Sequence, residues 1–199
     1  MYFFIKRLID IFISLLAILI LFPVLALISL GILISSGLPI LYFQERVGKE
    51  WRKFQIIKFR TMVDDADQIG PGISSEDDLR ITKIGKFLRK FKLDELPQFL
   101  NVLVGDMSLI GPRPELLRFA EFYRDDYSYI LSVRPGITDY ASVNFRHEAA
   151  LMNGKADGES YYLKEILPQK IMLYKKYLKK ISLTTDIQIL FSTFKIMFK

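Results

Sequence analysis

The stretch "KLDELPQFLNVLVGDMSLIGPRPE", residues 92–115, sets two adjacent acids, Asp94 and Glu95, ahead of an apolar run and ends on Arg113 between Pro112 and Pro114. Neighbours at i and i+1 on a helix do not face each other, so these carboxyls are not a pair sharing one proton. Acids at a helix start cap free N–H groups and favour the helix dipole by about 0.3–1 kcal/mol each, which alone explains them without any chemistry. A chemical role needs cations nearby. A helix N-terminus attracts anions, and an acid placed there can address a phosphate only where positive groups neutralise both. Arg113, stiffened by a proline on either side, is the first such cation, with Arg89, Lys58 and Arg60 as further candidates.

Composition narrows the chemistry. The 199 residues contain no cysteine and one histidine, His147, so thiolate metal sites, disulfides and imidazole clusters are excluded. His147 reads as incidental. Any metal must be held by oxygens, which points to magnesium or manganese and so to phosphate chemistry. The net charge is +6, and residues 164–199, with eight lysines against Glu165 and Asp186, account for all of it. Those lysines alternate with Leu, Ile, Met, Tyr and Phe at helical spacing and no nucleic-acid motif accompanies them, so the tail suits an anionic membrane surface rather than nucleic acid.

The elements that must position the acids begin with an apolar segment. From Ile11 to Phe43 there is no charged side chain, which meets the length criterion for a membrane-embedded segment. A secretory signal peptide is the competing reading, but its apolar region is shorter and ends in a small-residue cleavage site, which "SLGILISSGLPILYFQERVG" matches poorly. A straight helix over 11–34 would be about 36 Å long and could span a bilayer. Pro23 lies near its middle, however, and a proline inside a helix removes one hydrogen bond and crowds the preceding turn. Lys6 and Arg7 precede the segment, and Arg46, Lys49, Arg52, Lys53, Lys58 and Arg60 follow it. The positive-inside tendency pulls both ends to the cytoplasmic side, which favours a re-entrant helix–break–helix with the break at Pro23 over a single span.

Beyond it, "LPILYFQERVG" reads as an extended segment and "KFQIIKFRTM" as a strand. Residues 64–78, with six acids, no base and three Gly/Pro breakers, read as a solvated loop. "TKIGKFLRKFK" starts a basic helical turn or two. Asp94 falls where a helix N-cap is expected and Pro97 where a missing N–H costs little. Leu96, Phe99, Leu100 and Leu103 mark an amphipathic helix stopped near Gly105. Another helix is expected from Glu115 to about Tyr129, then a turn and strand or hairpin over "SVRPGITDYASVNFRHE". Two helices close the chain at about 159–180 and 184–198, with Ser182 or Thr184 as the cap between them.

"IKFRTM", the 92–115 stretch and "VRPGITDYASVNFR", behind an N-terminal "KRLIDIFISLLAILILFPV", resemble the small monotopic phosphoglycosyl transferases, the bacterial sugar transferase family. The similarity runs through nearly the whole chain in the same order. It implies transfer of a sugar 1-phosphate from a UDP-sugar to a polyprenol phosphate such as undecaprenyl phosphate, releasing UMP, with Mg2+ as cofactor. By the same resemblance Asp94 is the nucleophile and Glu95 serves the metal, while Lys58, Arg89, Arg113 and Arg146 lie near the phosphates or nucleotide. The physical logic agrees: a carboxylate attacking a diphosphate meets like charge, which a divalent ion and arginines must cancel. A covalent phosphosugar–aspartyl intermediate divides one displacement into two and implies ping-pong kinetics.

The chain departs from that pattern in three places. Phe22 precedes the helix-break proline where a serine is common, "NFRHE" replaces a Gly-Arg-Asn continuation, and Tyr174 stands where an acid is common, with Asp157 and Glu159 lying earlier. The expectation is an α+β, predominantly helical protein: a re-entrant membrane hairpin over 1–40, then a small cytoplasmic catalytic domain over 41–199 with a short β hairpin or strands and interfacial amphipathic helices. Its place would be the cytoplasmic face of a bacterial plasma membrane, in glycoconjugate assembly. Self-association into a homo-oligomer is left open, and the rival reading is a non-catalytic membrane scaffold.

Overall fold

The computed structural model describes residues 1–66, 74–75, 77–155 and 157–197. The expected acidic loop over 64–78 lies largely outside the described residues.

The charge-free segment forms one helix, α1 (Tyr2–Ser36), the described helix long and apolar enough to cross a membrane. Pro23 sits inside α1 and does not divide it into two helices. A proline removes only its own N–H from the ladder, so the hydrogen bonds on either side can carry the helix through. The flanks of Pro23 nevertheless have different surroundings from its middle. Near the start, the Arg7 guanidinium donates to the carbonyls of Val102 and Leu103 at 2.5 and 2.8 Å, and Lys6 pairs with Asp186 at 2.8 Å. Buried Asp10 accepts from the Ser108 hydroxyl at 2.8 Å and the Leu109 amide at 3.2 Å. Near the end, Ile28 and Ile32 pack with Phe59 and Leu88. Leu19, Ile20, Phe22 and Val24, around the proline, are exposed.

Two antiparallel strands follow, β1 (Leu41–Val47) and β2 (Lys53–Phe59), with Leu41 opposite Phe59 and Val47 opposite Lys53. The buried Arg60 guanidinium donates to the carbonyls of Ser36, Gly37 and Leu38, occupying acceptors that the end of α1 leaves free. Helix α2 (Lys83–Lys90) is capped by the Thr82 hydroxyl, which accepts from the Gly85 amide. Gly85 has to be glycine: a Cβ there would lie 2.0 Å from the Thr61 carbonyl oxygen.

The acids are not the N-cap and first turn of the next helix. They lie in a separate 3₁₀ turn, Leu93–Glu95, and α3 (Gln98–Val104) begins only after Pro97. Lys92, just ahead of the turn, is left-handed at φ 56°, a strained conformation for a residue with a Cβ. Helix α3 ends as expected at Gly105, φ 100°. Its Asn101 takes the place of a third strand, accepting from the Ile57 amide at 3.0 Å and donating to the Gln55 carbonyl at 2.7 Å. Buried backbone groups need such partners, so this side chain docks α3 on β2.

Strand β3 (Ser108–Ile110) pairs in parallel with β4 (Gly136–Thr138). Between them come α4 (Leu117–Phe122) and α5 (Arg124–Ile130), two short helices meeting at Tyr123 where one was expected. After β4 the chain does not turn back as a hairpin; it enters α6 (Tyr140–Asn144), because Asp139 caps a helix there by accepting from the Ser142 amide at 2.6 Å. The short helices α7 (Glu148–Leu151) and α8 (Gly158–Tyr161) lead through a π turn, Tyr162–Ile166, into α9 (Leu167–Lys179), and α10 (Leu183–Met197) follows with Ser182 accepting from the Thr185 amide.

One core gathers Phe119, Tyr127, Ile130, Ile166, Leu167, Ile171 and Tyr174, and a second gathers Phe54, Ile56, Val102, Met107, Ile110, Tyr177 and Ile189. Each such side chain taken fully from water contributes about 1.5–3 kcal/mol. The second cluster seats β2, α3 and β3 together, the elements that carry Lys58, the acidic turn and the approach to Arg113.

Candidate functional site

Strand β2 presents Lys58, the 3₁₀ turn presents Asp94 and Glu95, and the loop after β3 presents Arg113. They converge. The Lys58 ammonium donates to Glu95 Oε1 at 3.1 Å, and Arg113 meets the same carboxylate with both ends of its fork: Nη1 to Oε2 at 3.0 Å and Nη2 to Oε1. Two-pronged pairing of this kind is what a guanidinium does better than an ammonium. Burial opposes the charge on Glu95, but Arg113 and Lys58 outweigh it and hold the carboxyl well below the usual range. Burial pulls Lys58 down while Glu95 pushes back, and Arg113 is raised because Glu95 outweighs its burial.

Asp94 differs. It is 7% exposed, and its Oδ1 is buried with no hydrogen-bond partner among the described residues. Burial, with the Glu95 charge adding to it, raises its pKa above the usual aspartate value, while Lys58, Arg89 and Lys92 pull the other way. A buried acceptor without a donor is costly, by about 1–3 kcal/mol, and groups perturbed in this way cluster where chemistry is done.

Arg89 comes from α2 and faces the same acids. Its Nε donates to the Thr61 hydroxyl at 2.8 Å and its Nη1 to the Ser74 hydroxyl at 2.7 Å, and burial lowers its pKa against the field of Asp94. Arg146 is not brought to the acids by any hydrogen bond or ion pair among the described residues. It lines a cavity of about 430 Å3 with Val143, Asn144, Phe145, His147, Leu151 and Ile196. Neither Asp157 nor Glu159 reaches the acids: Asp157 caps α8 through the Ser160 amide, and Glu159 pairs with Arg118 at 2.9 Å on the surface. Tyr174 is fully buried in the core.

Sequence reasoning passed over Asp139, whose Oδ2 accepts from the Arg113 backbone amide at 3.2 Å, and Asn101. The first carried a readable signal, an N-cap residue ahead of a three-residue step to Ser142. The second had none, since its partners are distant in sequence. The "GPRPE" loop is held by more than its prolines. Gly136 donates to the Pro112 carbonyl at 2.9 Å, and a Cβ on Gly136 would lie 2.1 Å from the Gly111 nitrogen.

The acids bear on whether a magnesium ion fits. Among the described residues no group of three or more His, Cys, Asp or Glu gathers. Magnesium in phosphate sites needs only one or two carboxylates, with substrate phosphates and water completing six positions. The unpartnered Asp94 Oδ1 is a donor of that kind, whereas Glu95, both of whose oxygens Lys58 and Arg113 engage, would share its carboxylate with those cations if it held the ion. Taken together, the arrangement offers one fixed carboxylate, one under-bonded carboxylate and three cations, which suits a diphosphate approaching the under-bonded acid.

A sequence model described as bacterial sugar transferase matches residues 1–199. The chain is 41% identical over 168 residues to the UDP-N-acetylgalactosamine-undecaprenyl-phosphate N-acetylgalactosaminephosphotransferase of Aeromonas hydrophila, covering 82% of this chain and 40% of that one. It is 36% identical over 193 residues to the UDP-glucose:undecaprenyl-phosphate glucose-1-phosphate transferase of Escherichia coli, covering 94% and 39%. With the undecaprenyl-phosphate glucose phosphotransferase of Komagataeibacter xylinus the identity is 36% over 200 residues, covering 96% and 35%. The chain thus spans about two-fifths or less of the length of these relatives.

Proposed function

The chain belongs to the bacterial sugar transferase family, and from that premise we propose that it transfers a sugar 1-phosphate from a UDP-sugar to a polyprenol phosphate, giving a polyprenyl-diphospho-sugar and UMP. The observation that carries this reading is the contrast within the acidic turn: Glu95 is clamped by Lys58 and Arg113, while Asp94 beside it keeps a buried oxygen without a donor among the described residues. The printed names of the Aeromonas hydrophila and Escherichia coli relatives, with UDP-sugar donors and undecaprenyl phosphate as acceptor, support the substrate classes.

The chemistry follows from those positions. Arg113, Lys58 and Arg89 draw the donor's diphosphate toward the acids and spread its charge, and Arg146 meets the nucleotide end. The ionised Asp94 attacks the phosphorus that bears the sugar. An O–P bond forms to Asp94 as the bond from that phosphorus to the UMP oxygen breaks, and UMP leaves with the electron pair. An oxygen of the polyprenol phosphate then attacks the same phosphorus, and Asp94 departs as a carboxylate. Dividing one displacement into two lets the water-soluble donor and the lipid acceptor use one site in turn. Glu95 would be the residue to hold a magnesium ion, which would supply further charge neutralisation there.

Membrane placement belongs to the same proposal. Both flanks of Pro23 pack on one domain and the residues around it face outward, a pattern that supports α1 entering and leaving the cytoplasmic leaflet with the acids at the interface. The test is UMP release by membranes carrying the protein, given UDP-glucose or UDP-N-acetylgalactosamine, undecaprenyl phosphate and magnesium. Turnover that Asp94→Asn abolishes is the expected result; undiminished turnover by that variant would remove the nucleophile from the scheme.

A further inference from the structure

We infer that Asp139 is a positioning residue, a buried carboxylate that sets the spacing between Arg113 and Arg146, the cationic groups at two ends of the bound nucleotide donor. The inference rests on the proposed transfer reaction, in which those arginines bind a UDP-sugar.

Asp139 follows β4 directly and is 1% exposed. Its two oxygens hold two different backbones. Oδ2 accepts from the amide of Arg113, and Oδ1 accepts from the amide of Ser142 in the first turn of α6, the helix that ends two residues before Arg146. A cap alone would need one acceptor, and Ser, Thr or Asn could supply it. Here the second oxygen is spent on the residue whose side chain grips Glu95. The strand beneath is tied to the same loop, since Gly111 donates to the Thr138 carbonyl and Gly136 to that of Pro112. Burial raises the pKa of Asp139, against its bonds to Ser142 and the charges of Lys170 and Arg113. The carboxyl is thus kept at a position where burial disfavours its charge. What it provides there is two separate oxygens aimed at two amides, which neither asparagine nor serine offers.

Asparagine is the informative substitution. Its single carbonyl oxygen can keep the cap on α6, but its NH2 then faces the Arg113 amide, donor against donor. Serine likewise keeps a cap and loses the tether. The experiment is a titration of full-length protein in phospholipid nanodiscs with UDP in the presence of magnesium, for wild type, Asp139→Asn and Asp139→Ser, beside steady-state UMP release with the donor the wild type uses best.

The expected result is UDP binding weakened about tenfold or more in whichever variants keep a cooperative melt, with KM for the donor rising by a similar factor and kcat changing less than about threefold. A purely structural role would lower the melting temperature and leave UDP affinity unchanged, and that outcome overturns the inference. So does loss of the cooperative melt in both variants, which would make the carboxylate a requirement for folding. If wild type itself binds no UDP with magnesium, the transfer reaction fails first, a result distinct from either of these.

Discussion

Asp94 and Glu95 are consecutive in the chain yet their pKa values are pushed in opposite directions: both oxygens of Glu95 are engaged by Lys58 and Arg113, while Asp94 keeps a buried oxygen with no donor among the described residues. The backbone causes this. In a tight 3₁₀ turn successive side chains diverge, so Glu95 reaches the hydrogen-bonding groups of Lys58 and Arg113 and Asp94 Oδ1 does not.

The pH dependence follows with a defined sign. Asp94 must be ionised to attack, and its pKa is raised by burial and by Glu95. The acid limb of kcat/KM should therefore lie above the ordinary aspartate range. Arg89 is one of the charges that pulls Asp94 down, so Arg89→Gln should move that limb to higher pH, measured as UMP release against pH.

For stability the two acids work in opposite directions. The depressed pKa of Glu95 contributes stability above the ordinary glutamate range that is lost as pH falls through its folded value; the raised pKa of Asp94 gives a contribution that declines as pH rises through its own. Glu95→Gln leaves Lys58 and Arg113 without their counter-charge and should cost about 3 kcal/mol. Lys58→Met in the same chain should recover part of that loss, read from chemical denaturation in detergent.

Asn101 completes the backbone bonding of β2. Asn101→Ala leaves the Ile57 amide and Gln55 carbonyl without partners, a loss of about 1–3 kcal/mol for each buried group that water cannot reach. Because α3 follows the acidic turn, UMP release should fall in proportion more than the folded fraction does. Equal falls would mean that the docking of α3 does not set the site.

Much of this was readable from residue order. The apolar segment, the β1–β2 strands, the Gly105 stop and the Ser182 cap follow local rules of hydropathy, β-branching and capping. The placing of Lys58, Arg89 and Arg113 near the acids comes instead from the family resemblance, which implies it. The misses have a different physical origin. The acidic turn looks like the start of α3 in sequence because a 3₁₀ turn and an α-helical first turn share the same acids and proline. The alternating pattern around residues 140–144 suggests a strand or hairpin, and the Asp139 cap that makes them helical outweighs it. Asn101 looks like an ordinary residue of an amphipathic helix, and only the folded chain brings it to the edge of β2.

Gly136→Ala offers a probe of the loop that carries Arg113. The added methyl meets the Gly111 backbone, and overpacking of this kind costs about 1–3 kcal/mol. KM for the donor should rise as Arg113 shifts, and a folded variant with unchanged KM would show that the loop tolerates the displacement.

The central claim is that Asp94 carries the sugar phosphate between donor and acceptor. The most direct measurement is to mix the protein with a UDP-sugar and magnesium in the absence of polyprenol phosphate, quench, and sequence the peptides by mass spectrometry. A phosphosugar adduct on Asp94, formed together with a stoichiometric burst of UMP and discharged on adding polyprenol phosphate, is the result expected. A burst of UMP with the adduct on another residue, or steady turnover with no adduct at all, would contradict it.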